Sequence, residues 1–299
     1  MSLSDEPLMG TPLDDLLDLL QLETLEENLF RGVSPDEDRQ RIFGGQVAAQ
    51  ALVAAGRTGS DDRPVHSLHA YFLRPGDPNI PVIYDVDRIR DGKSFTTRRV
   101  VAIQHGKAIF NLAASFQVVE AGPDHSMEMP DVPAPEQLPT FRERLEPYLD
   151  RLGESMVEWL VRERPIDSRP VQDPHWLEPA PRQPTQDVWI KTNGDLPDDP
   201  LLHACVVAYA SDLTLLDTAT LPHAIGYDGR FMMASLDHAM WFHRPFRADE
   251  WMLYHQLSPS ASNARGLALG HVFRADGQVA ITVMQEGLLR PMHGAEGGE

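Results

Sequence analysis

The feature that most restricts what this chain can fold into is that its sequence repeats itself at a fixed offset. Tyr71-Phe72-Leu73-Arg74-Pro75 is answered 170 positions later by Trp241-Phe242-His243-Arg244-Pro245. His105-Gly106-Lys107 is answered 171 positions later by Asp276-Gly277-Gln278. An offset kept over that distance implies one structural unit used twice. Both copies read as a helix followed by strands. In the first, RIFGGQVAAQALVAAG (41–56) enters a small-residue helix through a double glycine. Strands rich in Val, Ile, Phe and Tyr follow at 65–75, 81–90, 95–104 and 108–119, with Asp91-Gly92 and His105-Gly106 at the breaks, as hairpin turns require. The second copy has a helix at 201–216 and strands at 231–246, 251–258, 265–274 and 278–289. A helix packed on one face of an antiparallel sheet, made twice, is an α+β architecture. The expected division is 1–119, 120–186 and 187–299, the middle segment being a connection.

Outside the repeats, Leu13, Leu16, Leu17 and Leu20 lie opposite Asp14, Asp15 and Asp18, which predicts an amphipathic helix from Leu13 to Leu25. Twelve of the 25 prolines fall between Pro123 and Pro184, so little sheet is expected there. A helix from Phe141 to Arg162 and the apolar anchors Trp159 and Trp176 mark this connection as ordered.

Composition excludes several classes of function. One cysteine, Cys205, rules out a disulfide framework or a cysteine zinc site and suits a reducing compartment. The N-terminus is acidic and unlike a signal peptide, and no stretch reaches the roughly 20 apolar residues of a membrane span. A cytoplasmic protein without stable membrane insertion is expected. A net charge of −19 disfavours nucleic acid as a partner. The charge is uneven: residues 1–38 hold eleven acids against Arg31 alone, whereas Arg88 to Lys107 holds six bases against Asp91. That basic stretch is either a solvated strand face or a site for a small anion.

No G-x-S-x-G elbow, Walker A loop, H-E-x-x-H or G-x-G-x-x-G occurs, and no metal or cofactor is implied. Cys205 lies in an apolar helical run and reads as a buried, inert thiol. His66 and His69 fall on opposite strand faces, which disfavours chelation. On a regular strand Ser235 and Asp237 share a face and His238 points away, which argues against a local Ser-His-Asp triad. Asp212 sits in a helix, His203 to Leu216, that is apolar or small nearly all round. A carboxylate there is either satisfied structurally, through Ser211 or Thr214, or works as a general base. Gln285 interrupts an apolar strand, and a buried amide needs partners.

LFRG (29–32), FGGQVAAQAL (43–52), HAYFLRPGD (69–77) and RDGKSFTTRRVVAIQHGKAIF (90–110) in the first half carry a resemblance to a known family. So do VWIKTNGDLPDD (188–199), AYASDL (208–213), DHAMWFHRPF (237–246), SASNARG (260–266) and VMQEGLLR (283–290) in the second. In this order they resemble the acyl-CoA thioesterase II (TesB-like) family over nearly the whole chain. The resemblance implies a double hotdog, two sheets each wrapped round one helix, assembled as a dimer or tetramer. It implies hydrolysis of acyl-CoA in fatty acid metabolism without cofactor or metal. The family's trio of Asp, Ser or Thr, and Gln carries over to Asp212, Ser235 and Gln285. Many relatives have Thr at Ser235, and Met233 and Met284 replace smaller or β-branched residues beside the acyl tunnel. Gly44-Gly45 becomes the candidate oxyanion donor, and Arg98, Arg99 and Arg265 become candidates for the CoA phosphates, with Arg88, Arg90, Lys93 and Lys107 beside them.

This chemistry suits those residue types. A thiol pKa of roughly 8.5 makes thiolate a good leaving group, so the work left is aligning a water and stabilising an oxyanion. An enoyl-CoA hydratase would want a His beside Asp212, and a lipid-binding module could dispense with the trio. The offset also places Val65 opposite Ser235 and Ala114 opposite Gln285, and no acid occurs between Gly44 and Gly56. One catalytic centre per chain is therefore expected.

Overall fold

The computed structural model describes residues 10–292 apart from 36–39, 152, 154–156, 158, 159, 161, 177, 227 and 228. Helix α1 (Pro12–Leu20) opens on a capping box in which Thr11 and Asp14 satisfy each other's backbone N–H groups. It stops at Leu20 rather than Leu25, and the chain turns into the short hairpin β1 (Glu23–Glu26) and β2 (Leu29–Gly32). Helix α2 (Gly44–Arg57) is followed by β3 (Val65–Phe72), β4 (Val82–Asp91), β5 (Phe95–Gln104) and β6 (Lys107–Gln117). The turn at His105 and Gly106 has φ of 49° and 68°, the left-handed pair that a tight hairpin needs.

The connection departs from expectation in two respects. Helix α3 (Phe141–Leu145) gives way to a 3-10 turn over Glu146–Arg151, because Pro147 cannot donate to a continuing α-helix. Trp159 lies outside the described residues. The connection also contributes a strand, β7 (Ile166–Pro170), which among the described residues pairs only with β8 (Thr185–Thr192) and so tolerates Pro170 at a sheet edge. Helix α4 (Pro200–Ser211), β9 (Phe231–Ser235), β10 (Asp237–Phe242), β11 (Met252–Ser262), β12 (Arg265–Phe273) and β13 (Val279–Pro291) complete the chain.

The strands form one sheet in the order β1-β2-β4-β5-β6-β3-β10-β13-β12-β11-β8-β7, with β9 also on β13. The order reads the same from either end once repeat-equivalent strands are matched. The centre is the antiparallel pair β3–β10, in which His69 faces Ala239, its own counterpart 170 positions on. A pseudo-twofold axis therefore passes between these two residues, and main-chain hydrogen bonds join the repeats into one sheet.

Helices α2 and α4 run antiparallel and share a core with the sheet. Their approach depends on two glycines. A Cβ at Gly45 would stand 2.5 Å from the Tyr209 carbonyl oxygen, and one at Gly56 would overlap the Leu201 side chain. The N-terminus of α2 thus abuts the C-terminus of α4, and the converse holds at the far end. Cys205 is fully buried in α4, and burial pushes its thiol up, which makes it inert. Against expectation, the helical run Pro200–His223 is long and apolar enough to cross a membrane, although most of its apolar stretch is buried inside the protein.

A methyl at Gly45 meets backbone, which cannot swing aside, whereas Gly122 faces open space. Gly45→Ala is expected to destabilise the fold by about 1–3 kcal/mol, the usual scale of overpacking, and Gly122→Ala to leave Tm unchanged. Equal thermal midpoints for the two variants in calorimetry would refute this account of the helix contact.

Candidate active site

Helix α4 ends at Ser211, five residues before the apolar pattern suggested, and Asp212 is its C-cap residue with φ −88° and ψ 0°. The chain continues through a 3-10 turn, Leu216–Ala219, laid against strands whose glycines make room for it. Cβ atoms at Gly287 and Gly266 would run into Leu216 and Ala219. From the end of α4 the Asp212 carboxylate reaches the start of α2. That helix has no side-chain cap of its own, Phe43 being its N-cap residue, and the Gly45 N–H donates to Asp212 instead. A Cβ at Gly44 would stand 2.7 Å from Asp212 Oδ2, so glycine is needed for the carboxylate to come this close.

Two side chains from β9 and β13 close the site. Ser235 Oγ donates to Asp212 Oδ1 at 3.2 Å. Gln285 Nε2 donates to Asp212 Oδ1 at 2.5 Å and to Ser235 Oγ at 2.9 Å. All three residues expected from the sequence are thus in mutual contact. Ser211 and Thr214, the structural alternatives for Asp212, are engaged elsewhere: Ser211 Oγ donates to Ala208 O, and Thr214 Oγ1 accepts from Gln256. Gln285 is fully buried, and its Oε1 has no hydrogen-bond partner among the described residues. Burial raises the Asp212 carboxyl from 3.8 to about 6, against the pull of Gln285, Ser235 and the Gly45 N–H, which all favour the charged form.

The orientation of Ser235 depends on an irregularity that alternation could not reveal. Ser235 pairs with Gly287 and Ala239 with Met284, so β9–β10 carries one residue more than the facing length of β13. This bulge at Leu236 re-aims the residues beyond it. His238, expected on the face opposite Ser235, is instead buried on the same side, with Nε2 2.9 Å from Ser211 Oγ. Asp237 accepts from the Glu286 N–H at 2.7 Å. Neither residue bonds Ser235, so these three neighbours form no triad.

The candidate basic residues lie in different places. Arg98 is 2% exposed and spends its donors internally, on Thr58 Oγ1 and O, Asp91 Oδ1, and the Arg90 and Thr97 carbonyls. It is a staple of the first repeat, which corrects its expected place on a ligand surface. Arg99 is exposed and paired with Asp87 at 3.0 Å. Arg265, opposite Leu288 on β13, pairs with Glu286 at 2.9 Å, one residue from Gln285. Sequence reasoning missed Arg41, which donates to Met233 O at 2.9 Å and ties the approach to α2 to the strand carrying Ser235.

The far end of the helix pair shows what the same geometry becomes without these residues. There Thr58 caps α2 as Asp212 caps α4, and α4 is capped locally by Asp199. Arg98 faces Ala114 across β5–β6 where Ala268 faces Gln285 across β12–β13. The polar position has changed strand, and the Arg98 guanidinium reaches Thr58 in the space between.

Known proteins resemble this chain over nearly its whole length. Residues 34–117 match the model of an acyl-CoA thioesterase N-terminal domain, and residues 162–288 match that of acyl-CoA thioesterase. The chain belongs to the acyl-CoA thioesterase family. It is 46% identical to mouse acyl-coenzyme A thioesterase 8, over 91% of this chain and 88% of that one. It is 42% identical to acyl-CoA thioesterase 2 of Haemophilus influenzae, over 94% and 99%. The crystal structure of an acyl-CoA thioesterase II, TesB2, from Mycobacterium marinum superposes with a TM-score of 0.76 at 43% identity, covering 95% and 100%. A hot dog fold protein from Alicyclobacillus acidocaldarius gives 0.76 at 18% identity over 93% and 98%, which speaks for the fold alone. The fold of this thioesterase-family chain is a double hotdog.

Because burial lifts the native Asp212 carboxyl above its unfolded value of 3.8, ionising it costs the fold stability as the pH climbs from about 4 to about 6. Asp212→Asn removes that charge. Its Tm at pH 8 is expected to equal or exceed that of the parent, and a fall of many degrees would contradict the sign of the shift.

Proposed function

We propose that this chain hydrolyses fatty acyl-CoA to free fatty acid and CoA, using a water held by Asp212, Ser235 and Gln285. What carries the reading is the closed contact of carboxylate, hydroxyl and amide at the N-terminus of a helix, with one buried amide oxygen left over. With its carboxyl near 6, Asp212 is ionised at neutral pH yet basic enough to take a proton from water. Ser235 and Gln285 fix the face of the carboxylate on which the water is held, and Gln285 Oε1 is an acceptor for its second proton. The water oxygen adds to the thioester carbonyl as its proton passes to Asp212. Collapse of the tetrahedral intermediate breaks the C–S bond, and the CoA thiolate recovers that proton. The Gly45 N–H is taken up by Asp212, so the Gly44 N–H is the donor proposed for the oxyanion. The division of labour follows 1–119, 120–186 and 187–299: the second repeat supplies the trio, and the first supplies the helix end.

A hydratase reading finds no support at the site, because His238, the imidazole that meets the end of the helix, is turned to Ser211. One centre per chain follows from the asymmetry of the two helix ends. Arg99 and Arg265 remain the proposed cations for CoA phosphates, offsetting the repulsion of a chain with net charge −19.

Release of free thiol from acyl-CoA esters, acetyl to palmitoyl, is the direct assay. Asp212→Asn is expected to lower kcat by about 10²-fold or more, the scale of a lost general base. Full activity in that folded variant would end the proposal. In the parent protein kcat/KM should fall as the pH drops through about 6, because protonated Asp212 accepts no further proton. Titration with a non-hydrolysable acyl-CoA analogue should count one site per chain, and two equivalent sites would refute the asymmetry. KM should rise with salt between roughly 50 and 500 mM as the Debye length shrinks through 10 Å, and a KM indifferent to salt would remove Arg99 and Arg265 from the binding account.

A further inference from the structure

The end of α4 is held by two buried side chains that the reaction does not use. Tyr254, on β11, is fully buried and donates its hydroxyl to Ser211 O at 3.2 Å. Its ring lies in a slot made for it, since a Cβ at Gly270 on β12 would overlap Tyr254 Cε2. Burial, with the nearby charge of Asp212 adding to it, raises the phenol well above its ordinary value, so the hydroxyl stays protonated and remains a donor. His238 meets the same residue from β10. Ser211 Oγ donates to Ala208 O at 3.0 Å and therefore accepts from His238 Nε2, 2.9 Å away. Burial lowers that imidazole to about 4, so it is neutral at working pH, with Nδ1 buried and without a partner among the described residues.

The first repeat supplies the control. Tyr84, 170 positions before Tyr254, is just as buried, but its hydroxyl donates to Gln50 Oε1 at 2.6 Å, halfway along α2. One repeat uses this tyrosine on a side chain within the helix. The other aims it at the carbonyl of the residue next to Asp212. The last carbonyls of a helix have no intrahelical donor, so whatever bonds them sets the direction in which the next residue leaves. Asp212 must leave in one direction to meet Gly45, Ser235 and Gln285 together, and misplacement by about 1 Å is enough to cost a large part of a rate.

We propose that Tyr254 and His238 are positioning residues for the catalytic centre: by holding Ser211 they fix where the Asp212 carboxylate sits. The proposal rests on the reading of Asp212 as the acid–base group. Tyr254→Phe removes one oxygen and leaves the ring in its slot. In the parent background kcat should fall about tenfold with KM little changed. In the Asp212→Asn background the same substitution should cause no further fall, because the group it positions no longer works. An equal loss in both backgrounds, or no loss in the folded single variant, would overturn the proposal. His238→Ala should lower kcat in the same way, and His238→Gln, which restores an N–H near the position of Nε2, should recover it. A His238→Gln variant as slow as His238→Ala would also count against positioning. The loss in Asp212→Asn alone tests the underlying reading separately, so failure of that reading and failure of this proposal give different results.

Discussion

A carboxylate at the end of one helix serves as the missing cap of another, and the rest of the molecule is arranged to permit that contact. For Asp212 to reach the Gly45 N–H, α2 and α4 must run antiparallel at a spacing only glycine allows, and the 3-10 turn after Asp212 must find room against Gly266 and Gly287. The sheet supplies the remaining partners by bringing β9 and β13 under the same helix end. Each of these requirements is local, but they meet at one atom, Asp212 Oδ1, which accepts from both Ser235 and Gln285.

That convergence holds two opposing effects in balance. Enclosing a carboxylate disfavours its charge, while three donors and a helix N-terminus favour it. Burial prevails here, and the carboxyl settles near 6. Had the donors prevailed, Asp212 would hold its charge at the expense of basicity. Had there been fewer of them, it would carry a proton at neutral pH. Compensation at Asp212 is therefore incomplete, unlike that at Gln50 in the first repeat, where donors to Leu19 O and Val33 O and an acceptor for Tyr84 leave the amide fully satisfied.

The sequence made the strands legible because alternation and turn residues agree. Phe95–Gln104 and its neighbours fall where the pattern placed them, whereas the pairing of His69 with its counterpart Ala239 is visible only in the structure. That Asp212, Ser235 and Gln285 meet was legible through resemblance, since a lone buried Asp left two readings open. Three things were hidden. The end of α4 was obscured because apolar residues continue into the 3-10 turn, and periodicity does not register a change of hydrogen bonding. The inward turn of His238 was obscured because one extra residue at Leu236 inverts the alternation beyond it. Arg98 was misread as part of a basic face. Alternation gave no signal, because Val101 and Ile103 make the other strand face equally apolar, and only the structure shows that the face of Val100 and Ala102 is the buried one.

The joining of β3 to β10 at His69 and Ala239 also bears on how such a molecule can change. In an assembly of two identical chains every substitution is made in duplicate, and a large cation introduced at one helix end is introduced at its mirror image as well. Here the two halves are separate stretches of one chain, held in register by continuous main-chain pairing. A substitution occurs once, on one side of the axis only. Position 98 can then be arginine while position 268 is alanine, so a nearly symmetric scaffold can carry unlike interiors.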